Sequence, residues 1–265
     1  MNPTLRDRFA ALLAKPDATI PLDEVSFVIA AHARPDLDIE AETAELDALA
    51  AQITDPTLTG VLRLLYRDLG YDGNRDAYYD PRNSFLDQVV RRRTGIPITL
   101  SVLTMEVARR VSVPLWGVGM PGHFLLRDKV DPDVFVDPFN HGRTLDRTSC
   151  AKVFRQIHGA GAPFDPAFLE PVERSSIAAR MLANLRAIYT TNGDNASLAW
   201  VLGLLAVLPA AAPSAHSEHA EALRRAGDVH GAIAAHERAA EMLESTGDDA
   251  TAQHRAAALL RALMN

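Results

Sequence analysis

Apolar residues recur at helical spacing through the first seventy positions. Leu5, Phe9, Leu12 and Leu13 share one face, and Val25, Phe27, Val28 and Ala31 share another after a start at Pro21. Two more amphipathic runs, 37–53 and 58–69, carry charge on one side and Leu or Ala on the other. Residues 70–83, GYDGNRDAYYDPRN, hold the turn pairs Asp72-Gly73, Gly73-Asn74 and Asp80-Pro81 and read as a loop bearing Tyr71, Tyr78 and Tyr79. A short helix over 84–92 follows, with Ser84 expected to cap it. Gly95-Ile96-Pro97 then opens a helix to Arg110 that is apolar on most sides and therefore buried.

The period changes beyond this helix. Leu115–Met120, His123–Arg127 and Val134–Val136 are short β-type runs, parted by Pro121-Gly122 and Asp131-Pro132-Asp133. They predict a small antiparallel sheet packed on the buried helix, an α+β arrangement. A helix is expected over 150–158, and the Pro-, Gly- and Ala-rich stretch 160–172 reads as a linker between a domain over 1–160 and a second over 174–265. The second is helical throughout, ending in a helix over 250–263. Gly193-Asp194 returns as Gly227-Asp228, 34 residues on, and Leu198, Ala199 and Ala206 align with Ala232, Ile233 and Ala240. That period is the tetratricopeptide length, although a plain array of helical hairpins packs in much the same way.

Composition narrows the function classes. The net charge of −7 gives no overall field towards nucleic acid or anionic membranes. Arg91-Arg92-Arg93 is the one basic run, and three charges at a helix end are ordinarily a solvated face. A lone cysteine, Cys150, excludes a disulfide framework and a cysteine-rich zinc site. No stretch suits a signal peptide or a membrane span, so a cytoplasmic protein is expected.

The candidate chemistry centres on His123 and Asp137, 14 residues apart across a turn-rich stretch. Adjacent antiparallel strands would bring both side chains to one end of the sheet. There the aspartate would accept the imidazole N–H and fix its tautomer, which is the histidine and orienting half of a triad. The start of the buried helix, with its dipole and free N–H groups, would favour a thiolate or an oxyanion. A histidine at a strand start also serves as an ordinary core residue.

The segment NSFLDQVVRRRTGIPITLSVLTMEVARRVSVPLWGVGMPGHFLLR, followed by FVDPFN, resembles the transglutaminase-like domain of the bacterial SirB-type proteins, which couple it to a tetratricopeptide-like tail. LGYDGNRDAYYDPRN and ARMLANLRAIYTTNGD also fit; the likeness runs from about residue 40 to 245 and is most specific over 73–140. The resemblance implies a papain-like α+β core with N-terminal helices added, in which His123 and Asp137 match the triad histidine and aspartate. It also implies a cysteine at the start of the central helix in the active enzymes. Pro97 stands there instead, a departure the SirB-type proteins share.

Three residues are candidates to replace the missing nucleophile. Thr99 and Ser84 carry hydroxyls, which are weak nucleophiles without a placed base; each has a local backbone-bonding role as the alternative. Cys150, just after Thr148-Ser149, would gain acidity at a helix start. His141 with His123 and Asp137 would make a His/Asp/His metal group, but no HExxH-type pair exists. No cofactor is expected. The expected function is a non-catalytic module that binds a protein or peptide through its groove and helical tail. The alternative is a cysteine-independent hydrolase or acyl transferase using His123 and Asp137.

Overall fold

The computed structural model describes residues 3–209 and 211–264. The chain forms two compact units, one of residues 16–181 and one of the described residues within 1–15 and 182–265.

The first unit is built around a helix that sees almost no water. Its helices are α2 (Leu22–Ala33), α3 (Ile39–Ala51), α4 (Leu58–Leu62, continuing as a π-helical stretch over Arg63–Asp68), α5 (Leu86–Arg92) and α6 (Pro97–Arg110). In α6 every residue from Pro97 to Ala108 is buried, as the apolar pattern predicts. Its hydroxyls are satisfied along the helix itself: Ser101 donates to the Pro97 carbonyl and Thr104 to that of Leu100, each at 2.8 Å. Its one buried carboxylate, Glu106, is held by Arg109 and by Arg174 of a later helix, while Arg109 and Arg110 also reach Asp23 of α2. Burial and the nearby Asp23 charge push Glu106 above the ordinary carboxylate range, against the pull of the two arginines.

The strands are shorter than expected and shifted. β3 (Leu115–Val118), β4 (Leu125–Asp128), β5 (Phe135–Asp137) and β6 (Arg143–Leu145) form an antiparallel sheet in that order, with Val118 opposite Leu125 and Leu126 opposite Val136. β6 had no apolar signal, since Arg143 and Thr144 are exposed. Within the expected loop, β1 (Asp72–Gly73) pairs in parallel with β2 (Thr94–Gly95), which follows α5. One face of the larger sheet presents Val118, Leu125 and Phe135 to Val153 and Phe154 of α7 (Arg147–His158). The other carries Leu126 and Val136, also fully buried, and α6 packs against β3 and β4.

The expected linker over 160–172 is corrected by this packing. Leu169 is buried in the α7 core, with Phe164 and Phe168 against it, and Val172 donates its N–H to the Gly117 carbonyl at the edge of β3. Three phenylalanines and a β-bridge hold a segment whose Pro and Gly content reads as flexible. The unit boundary falls instead within α8 (Arg174–Asn192), and the N-terminal helix α1 (Pro3–Leu13) packs on α9 (Asn195–Leu205) rather than joining the first unit.

The second unit continues with α10 (Pro213–Arg225), α11 (Val229–Thr246) and α12 (Thr251–Ala262), each packed on its predecessor. The repeated Gly-Asp pair does the same work twice. Gly193 and Gly227 take left-handed backbone at φ +68° and +85°, and Asp194 and Asp228 cap the next helix by accepting the N–H of Ser197 and of Gly231. No helix among the described residues is long and apolar enough to cross a membrane.

Leu103→Ala removes a fully buried side chain from the centre of α6. Urea denaturation should show a loss of about 2–5 kcal/mol in unfolding free energy.

Candidate functional site

The structure brings His123 and Asp137 together. Asp137 ends β5, and His123 sits in the turn before β4, where its N–H donates to the Met120 carbonyl. The expected strand start at His123 is thus corrected by two residues. Imidazole Nε2 lies 2.8 Å from Asp137 Oδ1, and both side chains are buried.

The second carboxylate oxygen is filled as well. Asp137 Oδ2 accepts from Asn140 Nδ2 at 2.7 Å and from Arg143 Nη2 and Nε at 3.0 and 3.2 Å. Burial alone would raise this carboxyl, but the hydrogen bonds and charges of His123, Asn140 and Arg143 outweigh it and hold Asp137 below its ordinary value. An ionised Asp137 fixes Nε2 as the protonated nitrogen. Nδ1, which makes no hydrogen bond with a described residue, is left as the basic one.

Three further residues position the imidazole. Phe139, in the turn between Asp137 and β6, meets the His123 ring edge-on with centroids 6.1 Å apart. Arg75 lies over the Phe139 ring at 4.9 Å and donates to the Phe139 carbonyl and to Asn140 Oδ1, each at 2.9 Å. Arg180 of α8 donates to the His123 carbonyl at 2.7 Å and to that of Met120 at 3.2 Å. Asn140 was visible as part of FVDPFN. Arg143, Arg75 and Arg180 carried no signal, because each acts across 6 to 65 residues of chain.

The candidate nucleophiles differ in their surroundings. Pro97 is the first residue of α6 and offers no reactive atom. Thr99 is fully buried; its hydroxyl donates to the Asn83 carbonyl at 2.7 Å and accepts the Ile96 N–H at 3.2 Å, so it staples two loops to the helix start. Cys150 is also fully buried, among Val118, Leu125 and Phe135. Burial first, and then the charges of Asp137 and Asp146, push its thiol up to about 12. The expected cap at Thr148-Ser149 is corrected: Asp146 caps α7 by accepting the Ser149 N–H, which places Cys150 one turn inside the helix.

Ser84 does not cap α5 either. It ends a 3-10 turn, Pro81–Ser84, and its buried Oγ has no hydrogen-bond partner among the described residues. Its neighbour Asn83 is the buried hub of this loop, donating to the carbonyls of Ala77 and Tyr78 and accepting from Asn74 and Arg92.

The remaining candidates turn away from the pair. His141 takes left-handed backbone and points Nδ1 to Asp72 at 3.4 Å, outside any His/Asp/His group. Among the described residues no three His, Cys, Asp or Glu side chains are placed to hold a metal. The arginine run is engaged locally: Arg91 pairs with Glu42, Arg92 lies near Asp80, and Arg93 donates to the Leu69 carbonyl. Of the tyrosines, Tyr71 is buried with its hydroxyl on the Val90 carbonyl, whereas Tyr78 and Tyr79 stay exposed, Tyr78 edge-on to Phe139.

Comparison with known proteins agrees with this geometry. A family model described as the transglutaminase-like superfamily matches residues 29–183. A UPF0162 protein of Xylella fastidiosa strain 9a5c is 41% identical over 196 residues, covering 68% of this chain and 70% of the relative. Another, from strain Temecula1, is 42% identical over 186 residues, covering 65% of this chain and 66% of the relative, so the chain spans about two thirds of these relatives. F-box only protein 21 of Mus musculus is 33% identical over 155 residues, 55% of this chain and 24% of the mouse protein. No solved structure matches significantly.

Because Asp137 is more acidic when folded than when unfolded, its stabilisation is present above the ordinary carboxylate value and lost as pH falls through its lower folded value. Asp137→Asn should therefore destabilise the protein by about 1–3 kcal/mol at pH 7. In urea melts, the gap from wild type should close on acidification. For Cys150, iodoacetamide at pH 8 should leave the native thiol unmodified and label it only in denaturant, as mass spectrometry would show.

Proposed function

Because the chain belongs to the transglutaminase-like superfamily, we propose that it keeps the frame of that chemistry without its nucleophile and serves as a protein- or peptide-binding module. The observation that carries this reading is the fate of the candidate nucleophiles. Pro97 stands at the start of the central helix, Thr99 is committed to backbone groups, and Cys150 is a buried thiol of raised pKa. A basic imidazole with no acid to deprotonate has no first step in acyl transfer.

Two features support binding. In the second unit a cleft of about 450 Å³ has Leu198, Leu202 and Ala222 in its wall and the pairs Arg186–Glu218 and Arg225–Glu221 at its rim. An apolar floor with charges of both signs suits a peptide segment. The match to a quarter of F-box only protein 21 supports a module that works inside different architectures. The finer assignment is a SirB-type protein with a tetratricopeptide-like tail, supported by the Gly-Asp pairs that recur at 34 residues in the same structural role. A cytoplasmic location accords with the single unpaired cysteine.

One observation favours the alternative hydrolase or acyl transferase. Ser84 Oγ is a buried hydroxyl with no partner among the described residues, the kind of orphan that active sites retain. A screen of acyl and peptide substrates with wild type, His123→Ala and Ser84→Ala discriminates the two. The module reading expects no turnover by any of the three. Turnover by wild type that both substitutions abolish would sink it.

A further inference from the structure

The second unit holds a group of basic side chains with buried nitrogens that have no hydrogen-bond partner among the described residues. His216 and His219 lie three residues apart on one face of α10 and are 5% and 1% exposed. Nδ1 of His216 and both ring nitrogens of His219 are buried without a hydrogen-bond partner among the described residues. Arg238 on α11 and Arg6 on α1 are partly buried, and Nε of each is orphaned in the same way. Neither guanidinium forms an ion pair with a described carboxylate. Their neighbours do: Arg224 and Arg225 share Glu221, and Arg186 has Glu218.

The four groups lie close enough for their charges to act on one another. Both imidazoles feel the charges of Arg238 and Arg6, and Arg238 feels that of Arg6. Glu241 of α11 also acts on Arg238, with which it forms no ion pair among the described residues. Burial first, and then the arginine charges, depress both histidines, His219 to about 3. At neutral pH the cluster therefore presents two guanidinium charges and two uncharged imidazoles, contributed by three helices.

An unsatisfied buried nitrogen is destabilising, and five of them belong to these four side chains. Water would fill hydrogen bonds but leave two like charges facing each other. A metal cation would be repelled by both guanidinium groups. A carboxylate brings one charge and two oxygens. A phosphate dianion brings two charges and tetrahedral oxygens, matching both the charge and donors arriving from several directions. We infer that Arg6, His216, His219 and Arg238 form a binding site for a phosphate group.

The test uses the full chain in phosphate-free buffer at pH 7.5, with ionic strength held constant by chloride. Calorimetric titration with inorganic phosphate should show saturable binding at one site, weakened at least about tenfold by Arg6→Gln or Arg238→Gln. Phosphate should raise the wild-type melting temperature and leave those of the variants unmoved. Without phosphate, both variants should melt at or above wild type, since each removes an unpaired cation. The His219 imidazole, followed by NMR, should titrate at higher pH once phosphate is bound. A parallel titration with O-phosphoserine separates sources: binding of inorganic phosphate alone marks a closed ion site, and tighter binding of the monoester marks a phosphorylated ligand. Either supports the inference. Absence of saturable heat with both probes, or equal binding by the arginine variants, would overturn it.

Discussion

Asp137 is a carboxylate taken wholly out of water, and the architecture around it follows from having to satisfy it. An ionised carboxylate in an apolar interior is tolerated only when its oxygens are filled by donors. Here one oxygen takes the imidazole of His123, and the other takes Asn140 and Arg143. The 3-10 turn Pro138–Asn140 places Asn140 three residues on, and the pairing of β5 with β6 brings Arg143 directly opposite Asp137. Gly142, at φ +64°, makes that return possible: a Cβ there would strike the ring of Tyr66, which is itself buried with its hydroxyl on Thr104 of α6. The carboxylate, the turn and the central helix are thus one packing problem with one solution.

That dependence changes what the histidine and aspartate mean. In an enzyme the pair is held to do chemistry; in this chain it also holds a β-turn against the core. Removing Asp137 would leave Arg143 and Asn140 without an acceptor, whatever the imidazole does. The pair therefore has a structural reason to be kept, whether or not it does chemistry. Their presence alone does not argue for catalysis, because the structural role accounts for both. Arg75 and Phe139 pack around the imidazole, and Arg180 holds its backbone carbonyl.

The parts legible in the sequence are those whose signal is local. The buried α6 followed from its all-round apolar pattern, and the helix ends at Gly193 and Gly227 followed from a repeated dipeptide. The turn motifs PGHF and VDPF located His123 and Asp137. The parts that were not legible depend on distant partners. β6 is a strand because β5 pairs with it, not because its exposed Arg143 and Thr144 favour one. Residues 160–172 have a linker's composition, but Phe164, Phe168 and Leu169 find an apolar surface left open by α7 and the sheet. Ser84 looked like a helix cap because it begins the run 84–92, yet it ends a 3-10 turn and Phe85 occupies the cap position.

The same accounting of buried polar atoms that explains Asp137 gives the opposite result in the helical unit. Around Asp137 each charge has its complement inside the chain, so the site is complete as folded. Around His219 the charges named as acting on the imidazoles are those of Arg238 and Arg6, and the orphaned atoms are nitrogens drawn from α1, α10 and α11. Random surface placement would leave such side chains in water, where the long arginines could extend. Burying these nitrogens together is costly unless their hydrogen bonds and charges are met, which the phosphate inferred above would do. A satisfied cluster reports how a fold is held, and an unsatisfied one reports what kind of group would complete it.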